Sequence, residues 1–309
     1  MSNSIIREEI QALQDHILLA SGDYQVFLLR SWEAPHLMQE LYRLREVTFR
    51  AIGEGTGNEL DTDEYDAYYR QMVLWNVPNG EIAGAYRLGF GGEIIQENGI
   101  DGFYTASLFK FSPQIAPLLG RCIELGRSFI VSAYQREILP LKLLFSGLLA
   151  SSLRSPGAEY FMGPVSMSAD IPAIYQTLAV YYIMRDYHFP DVEGLVGCRH
   201  PFVPDPSCSN PEMLLSDVPA HDIDAFDRKL SALSEEKYRL PVLFRKYITS
   251  GARVVDFNVD PLFSNSVDGL IFHKHTDYPV NTLRSITRNM DPELRNAIWQ
   301  HFQGKPFTE

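Results

Sequence analysis

Hydrophobic residues recur along the chain at two spacings, one typical of helices and the other of strands. Apolar positions three or four residues apart, such as Leu37, Leu41 and Leu44, indicate amphipathic helices. Short apolar runs bounded by Gly, Pro, Asn or Asp indicate strands. The spacing predicts helices over 4–20, 34–52, 139–153, 170–187, 221–237, 241–250 and 279–302. The apolar runs predict strands over 24–29, 72–77, 81–90, 121–131, 158–165, 252–259 and 267–273.

The order of these elements predicts the fold class. Strands alternate with helices and no internal repeat is visible, which indicates a mixed α/β fold on one central sheet. We expect a single domain over 1–309, with a core at about 22–190 and a completing C-terminal region at about 221–309. Residues 190–220 are rich in Pro, Asp, Ser and Asn and are predicted to be an insertion. Residues 91–102, rich in glycine and polar residues, are predicted to form a loop.

Composition and charge narrow the classes of function. With 309 residues, 45% of them hydrophobic, the chain can bury a core. A formal net charge of −12 argues against nucleic-acid binding, which needs a basic surface. Three scattered cysteines favour reduced thiols and a cytoplasmic location. No apolar run reaches the roughly 18 residues of a membrane span, and residues 1–20 lack the apolar core of a secretory signal.

The predicted strand at 121–131 carries the residues most suggestive of chemistry. Strict alternation places Glu124 and Gly126 on one face and Arg127 on the other. A Glu and an Arg in a central strand are costly unless they are paired or used. Gly126 favours a β-bulge, which would redirect Arg127 and free backbone N–H groups to bind a ligand carbonyl. A structural ion pair across the sheet is the alternative interpretation.

Two further segments are suited to binding charged groups. The turn before the helix at 139–153 presents unpaired N–H groups to an anion, and Arg136 is placed to pair with a phosphate. A solvated turn arginine is the alternative. Residues 53–66 are acidic and glycine-containing and follow Arg45 and Arg50. We expect a mobile loop there, either an ammonium-binding pocket or a charge-paired lid, with a solvated helix face and loop as the alternative.

Six short motifs in a fixed order carry a resemblance to known proteins. They are Leu44–Phe49, Leu60–Asp66, Ile82–Leu88, Gly102–Tyr104, Glu124–Ser128, and Leu240–Leu243 followed by Tyr247, Gly251 and Ala252. Over about residues 25–275 the chain resembles the hemolysin-like branch of the GCN5-related N-acyltransferases (GNAT). That branch includes ornithine-lipid and glycine-lipid N-acyl synthases. The order of an arginine helix, an acidic loop and Glu-x-x-Arg in a strand is also similar to acyl-homoserine-lactone synthases.

The resemblance implies a fold and a reaction. The fold would be a GNAT-type mixed central sheet flanked by helices, with a C-terminal extension. The donor would be a long-chain, often 3-hydroxy, acyl group on the phosphopantetheine arm of acyl carrier protein, with acyl-CoA as the second option. The acceptor would be the α-amine of a small amino acid such as ornithine or glycine. An apolar aminolipid precursor as product implies transient contact with the inner membrane surface, and we expect no metal ion and no tightly bound cofactor.

The resemblance also implies roles for individual residues. Glu124 would be the general base that takes a proton from the acceptor ammonium, with its pKa raised by an apolar sheet. Arg127 and Arg45 would position the acidic loop or the acceptor carboxylate. The residues that bind the acceptor would be Asp63, Asp66 and Arg87, with the two aspartates receiving the ammonium or locking a lid on Arg45. Backbone N–H groups of the bulge would polarise the thioester carbonyl. The donor-binding residues would be Ser128, Phe129, Ile130, Val131 and Arg136.

One departure from the family pattern concerns the donor site. Gln135–Pro140 has the arginine of the acetyl-CoA signature Gln/Arg-x-x-Gly-x-Gly/Ala but none of its glycines, so bulky residues should crowd the CoA pyrophosphate. This favours a carrier-protein arm, and the local excess of basic residues over 121–154 would dock the acidic carrier. Two alternatives stay open. One is signal synthesis with S-adenosylmethionine as acceptor, and the other is a non-catalytic, hemolysin-like acyl-binding protein.

Overall fold

The secondary structure is that of a computed structural model, which describes residues 3–307. The strands are β1 (Ile17–Ser21), β2 (Tyr24–Arg30), β3 (Arg70–Asn76), β4 (Glu81–Phe90), β5 (Phe109–Phe111), β6 (Cys122–Ile130), β7 (Tyr160–Met167), β8 (Val196–Cys198), β9 (Arg253–Asp260) and β10 (Ser266–Lys274). The helices are α1 (Asn3–Ala12), α2 (Pro35–Arg50), α3 (Gly91–Glu97), α4 (Ala116–Leu119), α5 (Ile138–Ser152), α6 (Ala173–Tyr187), α7 (Pro211–Leu214), α8 (Ile223–Leu233), α9 (Val242–Thr249), α10 (Val280–Thr287) and α11 (Pro292–Gln303).

The strands are organised around one large sheet. Within residues 3–307, eight strands form this sheet in the order β1-β2-β3-β4-β6-β7-β10-β9. Neighbouring strands are antiparallel except for β6 and β7, which are parallel. β5 pairs with β8, from the predicted insertion, in a separate two-stranded sheet. The predicted mixed α/β class with a central sheet is confirmed. Of the predicted domain 1–309, residues 1, 2, 308 and 309 lie outside the described residues.

Helices cover both faces of the large sheet. α5 is hydrophobic all round and lies against β1 to β4 and β6 on one face. α1 and α2 pack on the opposite face. The alternation along β2 shows the two layers, because Val26 and Leu28 belong to the α5 core whereas Phe27 and Leu29 belong to the α2 core.

Two predicted helices are wrong in their extent. The helix predicted over 4–20 ends at Ala12, and residues 17–21 form β1, which pairs with β2. The helix predicted over 279–302 is divided in two at Asp291. The Asp291 carboxylate accepts hydrogen bonds from the first N–H groups of α11, so it starts a new helix where the pattern suggested continuity.

The prediction of a loop over 91–102 is also wrong, because its first residues form α3. A Cβ on Gly91 would lie 2.0 Å from the carbonyl oxygen of Leu119. Glycine at this position therefore permits close packing between backbone segments, and Ile94 anchors the helix in the core.

β6 and β7 separate after a short paired stretch. Only residues 122–124 of β6 pair with residues 160–162 of β7. Beyond this stretch β6 stays with β4, and β7 stays with β10 as far as Met167. A Cβ on Gly163 would lie 2.2 Å from the carbonyl oxygen of Leu125, so glycine is needed where the strands diverge. The gap beyond this point is where the candidate site lies.

Candidate active site

A cavity of about 1190 Å³ occupies the gap between β6 and β7. Its walls include residues 125–130 of β6 and residues 163–166 of β7, together with parts of α5 and α9. The cations Arg136, Lys142 and Lys246 are among its lining residues. The cavity is large enough for a long, flexible ligand, and an unpaired strand edge runs along its wall.

β6 carries a bulge at the cavity. Phe129 pairs with Ala85 of β4, whereas Gly126 pairs with Arg87, so β6 has one extra residue between these pairs. Arg127 lies in this interval with a φ of 48°, in the left-handed region. The bulge predicted from Gly126 is present, and on the cavity side this part of β6 has no described partner strand.

The bulge changes the face on which Arg127 lies. Strict alternation predicts opposite faces for Glu124 and Arg127, and this prediction is wrong. Glu124 accepts a hydrogen bond from the backbone N–H of Tyr104, and the Arg127 guanidinium lies 5.0 Å from the centre of the Tyr104 ring. The extra residue therefore brings both side chains to the same side of the sheet.

Glu124 is fully buried beneath the cavity rather than lining it. Its carboxylate accepts hydrogen bonds from the backbone N–H of Thr105 at 2.8 Å, from that of Tyr104 at 3.0 Å, and from the Tyr69 hydroxyl. Burial raises the pKa of Glu124, although these hydrogen bonds oppose the shift. The structure therefore brings Glu124 against the segment that carries Tyr104, and Tyr104 lines the cavity.

Three arginines from three elements meet the carboxylates of the acidic segment. Arg45 of α2 pairs with Asp66 at 2.8 Å and with Asp61 at 3.1 Å. Arg127 of β6 pairs with Asp61 at 3.2 Å and with Asp63 at 3.3 Å. The remaining pairs join Arg87 of β4 to Asp63 and Asp66. The formal charges of these six groups cancel.

The ion pairs accompany the burial of two of these three aspartates. Asp61 is 1% exposed and Asp66 is 5% exposed, so the alternative of a solvated loop is wrong for these two residues. Burial opposes ionisation of Asp66, but the guanidiniums of Arg87 and Arg45 outweigh it and hold the pKa of Asp66 well below its usual range. Each of these carboxylates already has arginine partners within the protein.

The predicted donor-binding residues lie at the cavity, with one exception. Ser128, Phe129, Ile130 and Arg136 contribute to its lining. Val131 does not, and its backbone N–H donates to the carbonyl oxygen of Ala83 at 3.0 Å. The N-terminus of α5 also opens onto the cavity, so its first N–H groups are close to Arg136.

Three buried carboxylates line the cavity; one belongs to the acidic residues 53–66, and the other two were not identified from the sequence. They are Glu54, Asp260 and Asp268, and each is less than 9% exposed. Burial raises the pKa of Asp268 to about 7, and the neighbouring charges of Asp260 and Glu54 act in the same direction. Burial also raises the pKa of Glu54 to about 7. A lone acid within the apolar run 267–273 was the available signal for Asp268.

Comparison with known proteins agrees with this geometry. The acetyltransferase (GNAT) domain family matches residues 44–144. A glycine N(alpha)-acyltransferase of Bacteroides thetaiotaomicron is 30% identical over 261 residues, which cover 81% of this chain and 76% of the relative. The chain belongs to the GNAT acyltransferase family. A second relative of the same name, from Phocaeicola vulgatus, is 29% identical over 81% of this chain and 78% of its own length. As a GNAT enzyme of this group, the protein transfers an acyl group to an amine.

Two solved structures show more distant similarity to this GNAT chain. The acyl-homoserine-lactone synthase LasI has a TM-score of 0.39 and 13% identity, covering 94% of this chain and 99% of LasI. The GNAT-like decarboxylase GphF, solved with isobutyryl-CoA, has a TM-score of 0.33 and 17% identity, covering 89% of this chain and 96% of GphF.

The part of the GNAT chain that the structure describes contains neither a membrane-spanning helix nor a metal-binding cluster. Between residues 3 and 307, no helix is both long and apolar enough to cross a membrane. In the same range, no group of three or more His, Cys, Asp or Glu side chains is arranged to hold a metal ion.

Proposed function

We propose that this GNAT protein transfers a long-chain acyl group from the phosphopantetheine arm of acyl carrier protein to the α-amine of a small amino acid, with glycine and ornithine as the candidate acceptors. The observation that carries the proposal is the cavity between β6 and β7, into which the bulged edge of β6 opens. The two relatives named glycine N(alpha)-acyltransferase support an amino acid as acceptor.

The donor would enter from the cationic part of the cavity. Arg136, Lys142 and Lys246 would attract an acidic carrier and its single phosphate. Ile138 is 86% exposed and Val242 is 63% exposed, and both belong to the same lining. Apolar side chains beside cations fit the surface of an acidic partner protein better than a nucleotide, which supports carrier protein over CoA.

The bulge would stabilise the charge that develops during transfer. When an amine attacks a thioester, the carbonyl oxygen becomes negative and needs preorganised donors. Arg127 and Ser128 of the bulge line the cavity on the part of β6 that β7 does not pair, which makes their backbone N–H groups the candidate donors. We propose that these groups bind the carbonyl oxygen and that residues farther along the cavity hold the acyl chain.

The assignment of Glu124 as the general base stays a prediction. Both of its oxygens already accept hydrogen bonds from the protein, and Glu124 does not line the cavity. This geometry supports a positioning role, in which Glu124 holds the Tyr104 segment. Arg45, Arg87 and Arg127 would likewise hold the acidic segment in place.

The proposal is tested with purified protein and matched donors. The same 3-hydroxyacyl group is presented on acyl carrier protein and on CoA, with glycine, ornithine or S-adenosylmethionine as acceptor, and products are identified by mass spectrometry. We expect an N-acyl amino acid, formed faster from the carrier protein. An acyl-homoserine lactone would instead identify a signal synthase. Stoichiometric acyl binding with no product from any acceptor would identify a non-catalytic protein.

A further inference from the structure

Glu54, Asp260 and Asp268 come together at the cavity from three separate parts of the chain. Glu54 follows α2, Asp260 ends β9, and Asp268 lies within β10. All three are buried, and all three contribute to the cavity lining. They are distinct from the aspartates of the acidic segment, whose charges are balanced by three arginines.

The carboxylate of Glu54 has no partner within the described protein. Its side chain is 8% exposed and lines the cavity, yet among residues 3–307 it forms neither a hydrogen bond nor an ion pair. A carboxylate removed from water without a partner is unfavourable. The side chain is therefore placed to meet a group that the protein itself does not supply.

The other two carboxylates are bonded only to neutral donors. Asp268 accepts a hydrogen bond from the Ser266 hydroxyl at 3.3 Å and lies opposite Ser166 in the sheet. Asp260 accepts one from the backbone N–H of Leu262 at 2.9 Å. Within the described residues, no ion pair involves any of the three acids, whereas the nearby Arg127 is paired with Asp61 and Asp63.

We propose that Glu54, Asp260 and Asp268 bind the ammonium group of the amino-acid acceptor, and that Asp268 accepts the proton that this ammonium must lose before it reacts. This inference rests on the proposed acyl transfer and deepens it. A primary ammonium has three N–H donors and one positive charge, which matches three convergent carboxylates that lack a cation.

Acyl transfer removes two protons from the acceptor nitrogen. The ammonium gives one proton to the Asp268 carboxylate, and the neutral nitrogen then attacks the thioester carbonyl carbon. A C–N bond forms and the C–S bond breaks. The leaving sulfur takes the second proton released by the nitrogen, so the products are a neutral amide and a thiol. Asp268 later returns its proton to solvent.

The titration of the site is consistent with this role. Burial, assisted by the charges of Asp260 and Glu54, brings the pKa of Asp268 to about 7, where a base can both accept and release a proton. The other groups that face Asp268 are the hydroxyls of Ser166 and Ser266 and the side chain of Tyr104. Arg127 lies beside Tyr104, with its charge balanced by the acidic segment.

The test compares Asp268→Asn with the control Asp256→Asn, an exposed aspartate on β9 that is outside the cavity lining. We expect kcat/KM for the amino acid to fall by about 10²–10⁴-fold in Asp268→Asn and by less than about twofold in the control. Binding of the acyl donor should be unchanged in both. The wild-type pH profile should rise to a plateau near pH 7, and in Asp268→Asn the rate should keep rising with pH, because alkali itself deprotonates the acceptor.

Glu54→Gln is the second variant, and it tests the proposed ammonium site even if Asp268→Asn does not fold. We expect it to raise KM for the amino acid by about tenfold with kcat changed by less than about threefold. An acceptor kcat/KM within about threefold of wild type in the folded variants would overturn the inference, as would an equal loss of donor binding. The failure of the proposed function is a separate result, since the wild-type enzyme would then form no amide at all.

Discussion

At the scale of single residues, Arg45 shows how a loop becomes part of the buried structure. Its guanidinium binds the carboxylates of both Asp61 and Asp66 and is itself inaccessible to solvent. A buried charge that loses its partner costs far more free energy than the same loss at the surface. The acidic segment and the end of α2 should therefore unfold together.

Asp66→Asn tests this coupling. We expect the free energy of unfolding to fall by about 3–5 kcal/mol at neutral pH, because Arg45 and Arg87 would lose a buried counterion. The pKa of Asp66 is lower in the folded protein, so its stabilisation is present above the unfolded pKa of about 3.9 and is lost as the pH falls. Urea unfolding at pH 7 and at about pH 3.5 should show the difference from wild type shrinking in acid.

The control for this prediction is Asp217→Asn. Asp217 pairs with Lys229 at the surface, and its side chain is 65% exposed. The urea midpoint should be nearly unchanged in this variant, since solvent screens exposed pairs. Equal effects of the two substitutions would contradict a special role for the buried network.

Glu124→Gln separates a structural role from a catalytic one. A glutamine would place its NH2 group against one of the two backbone donors, Tyr104 or Thr105, so we expect the free energy of unfolding to fall by about 1–3 kcal/mol. The pH profile of acyl transfer should keep its plateau near pH 7, because Asp268 is unchanged. A plateau that is lost in Glu124→Gln but kept in Asp268→Asn would instead identify Glu124 as the base.

At the scale of secondary-structure elements, the divergence of β6 and β7 depends on one glycine. Gly163→Ala would place a Cβ 2.2 Å from the carbonyl oxygen of Leu125, a backbone atom that cannot move aside alone. We expect a loss of about 1–3 kcal/mol in the free energy of unfolding, measured by urea denaturation. Gly126→Ala is the matched control, because a Cβ there meets nothing within 4 Å. A Gly163→Ala variant as stable as Gly126→Ala would contradict the close approach.

Local sequence predicted the elements better than it predicted their faces. Gly126 correctly indicated a bulge, yet the same bulge invalidated the alternation that had placed Glu124 and Arg127 apart. Helix 139–153 was predicted almost to its ends, because an apolar segment of that length has few alternatives. By contrast, α3 depends on Gly91 packing against a distant carbonyl, which no local pattern reveals.

The candidate site was predicted in part, for a related reason. The six motifs contain the arginine network and Ser128, and the turn before the helix at 139–153 indicated Arg136. Glu54 and Asp268 are far apart in sequence and come together only at the cavity of the folded protein. The local sequence around each acid does not predict that the two carboxylates lie close together in the folded protein.

At the scale of the whole molecule, charge is distributed unevenly. The chain carries a net charge of −12, but Arg136, Lys142 and Lys246 gather at one cavity. The acidic carrier of the proposed function would thus be repelled by most of the surface and attracted by these three cations. This arrangement would orient the carrier as it approaches.

Lys142→Glu combined with Lys246→Glu tests the docking of the carrier. We expect KM for acyl carrier protein to rise by about tenfold or more, and to become less sensitive to salt. KM for the same acyl group on free pantetheine should change much less, since this small donor lacks the carrier protein that would contact the two lysines. Equal increases for both donors would contradict carrier docking at these lysines.

The positions of β9 and β10 along the chain also determine when the candidate site is completed during synthesis. The bulge at Arg127 lies in β6, whereas Asp260 and Asp268 lie in β9 and β10, which end at residues 260 and 274. Because a chain emerges from the ribosome beginning at its N-terminus, an unfinished product lacks the wall that would receive the acceptor. Under the proposed function, fragments from interrupted translation would therefore transfer no acyl group, because β9 and β10 come late in the chain.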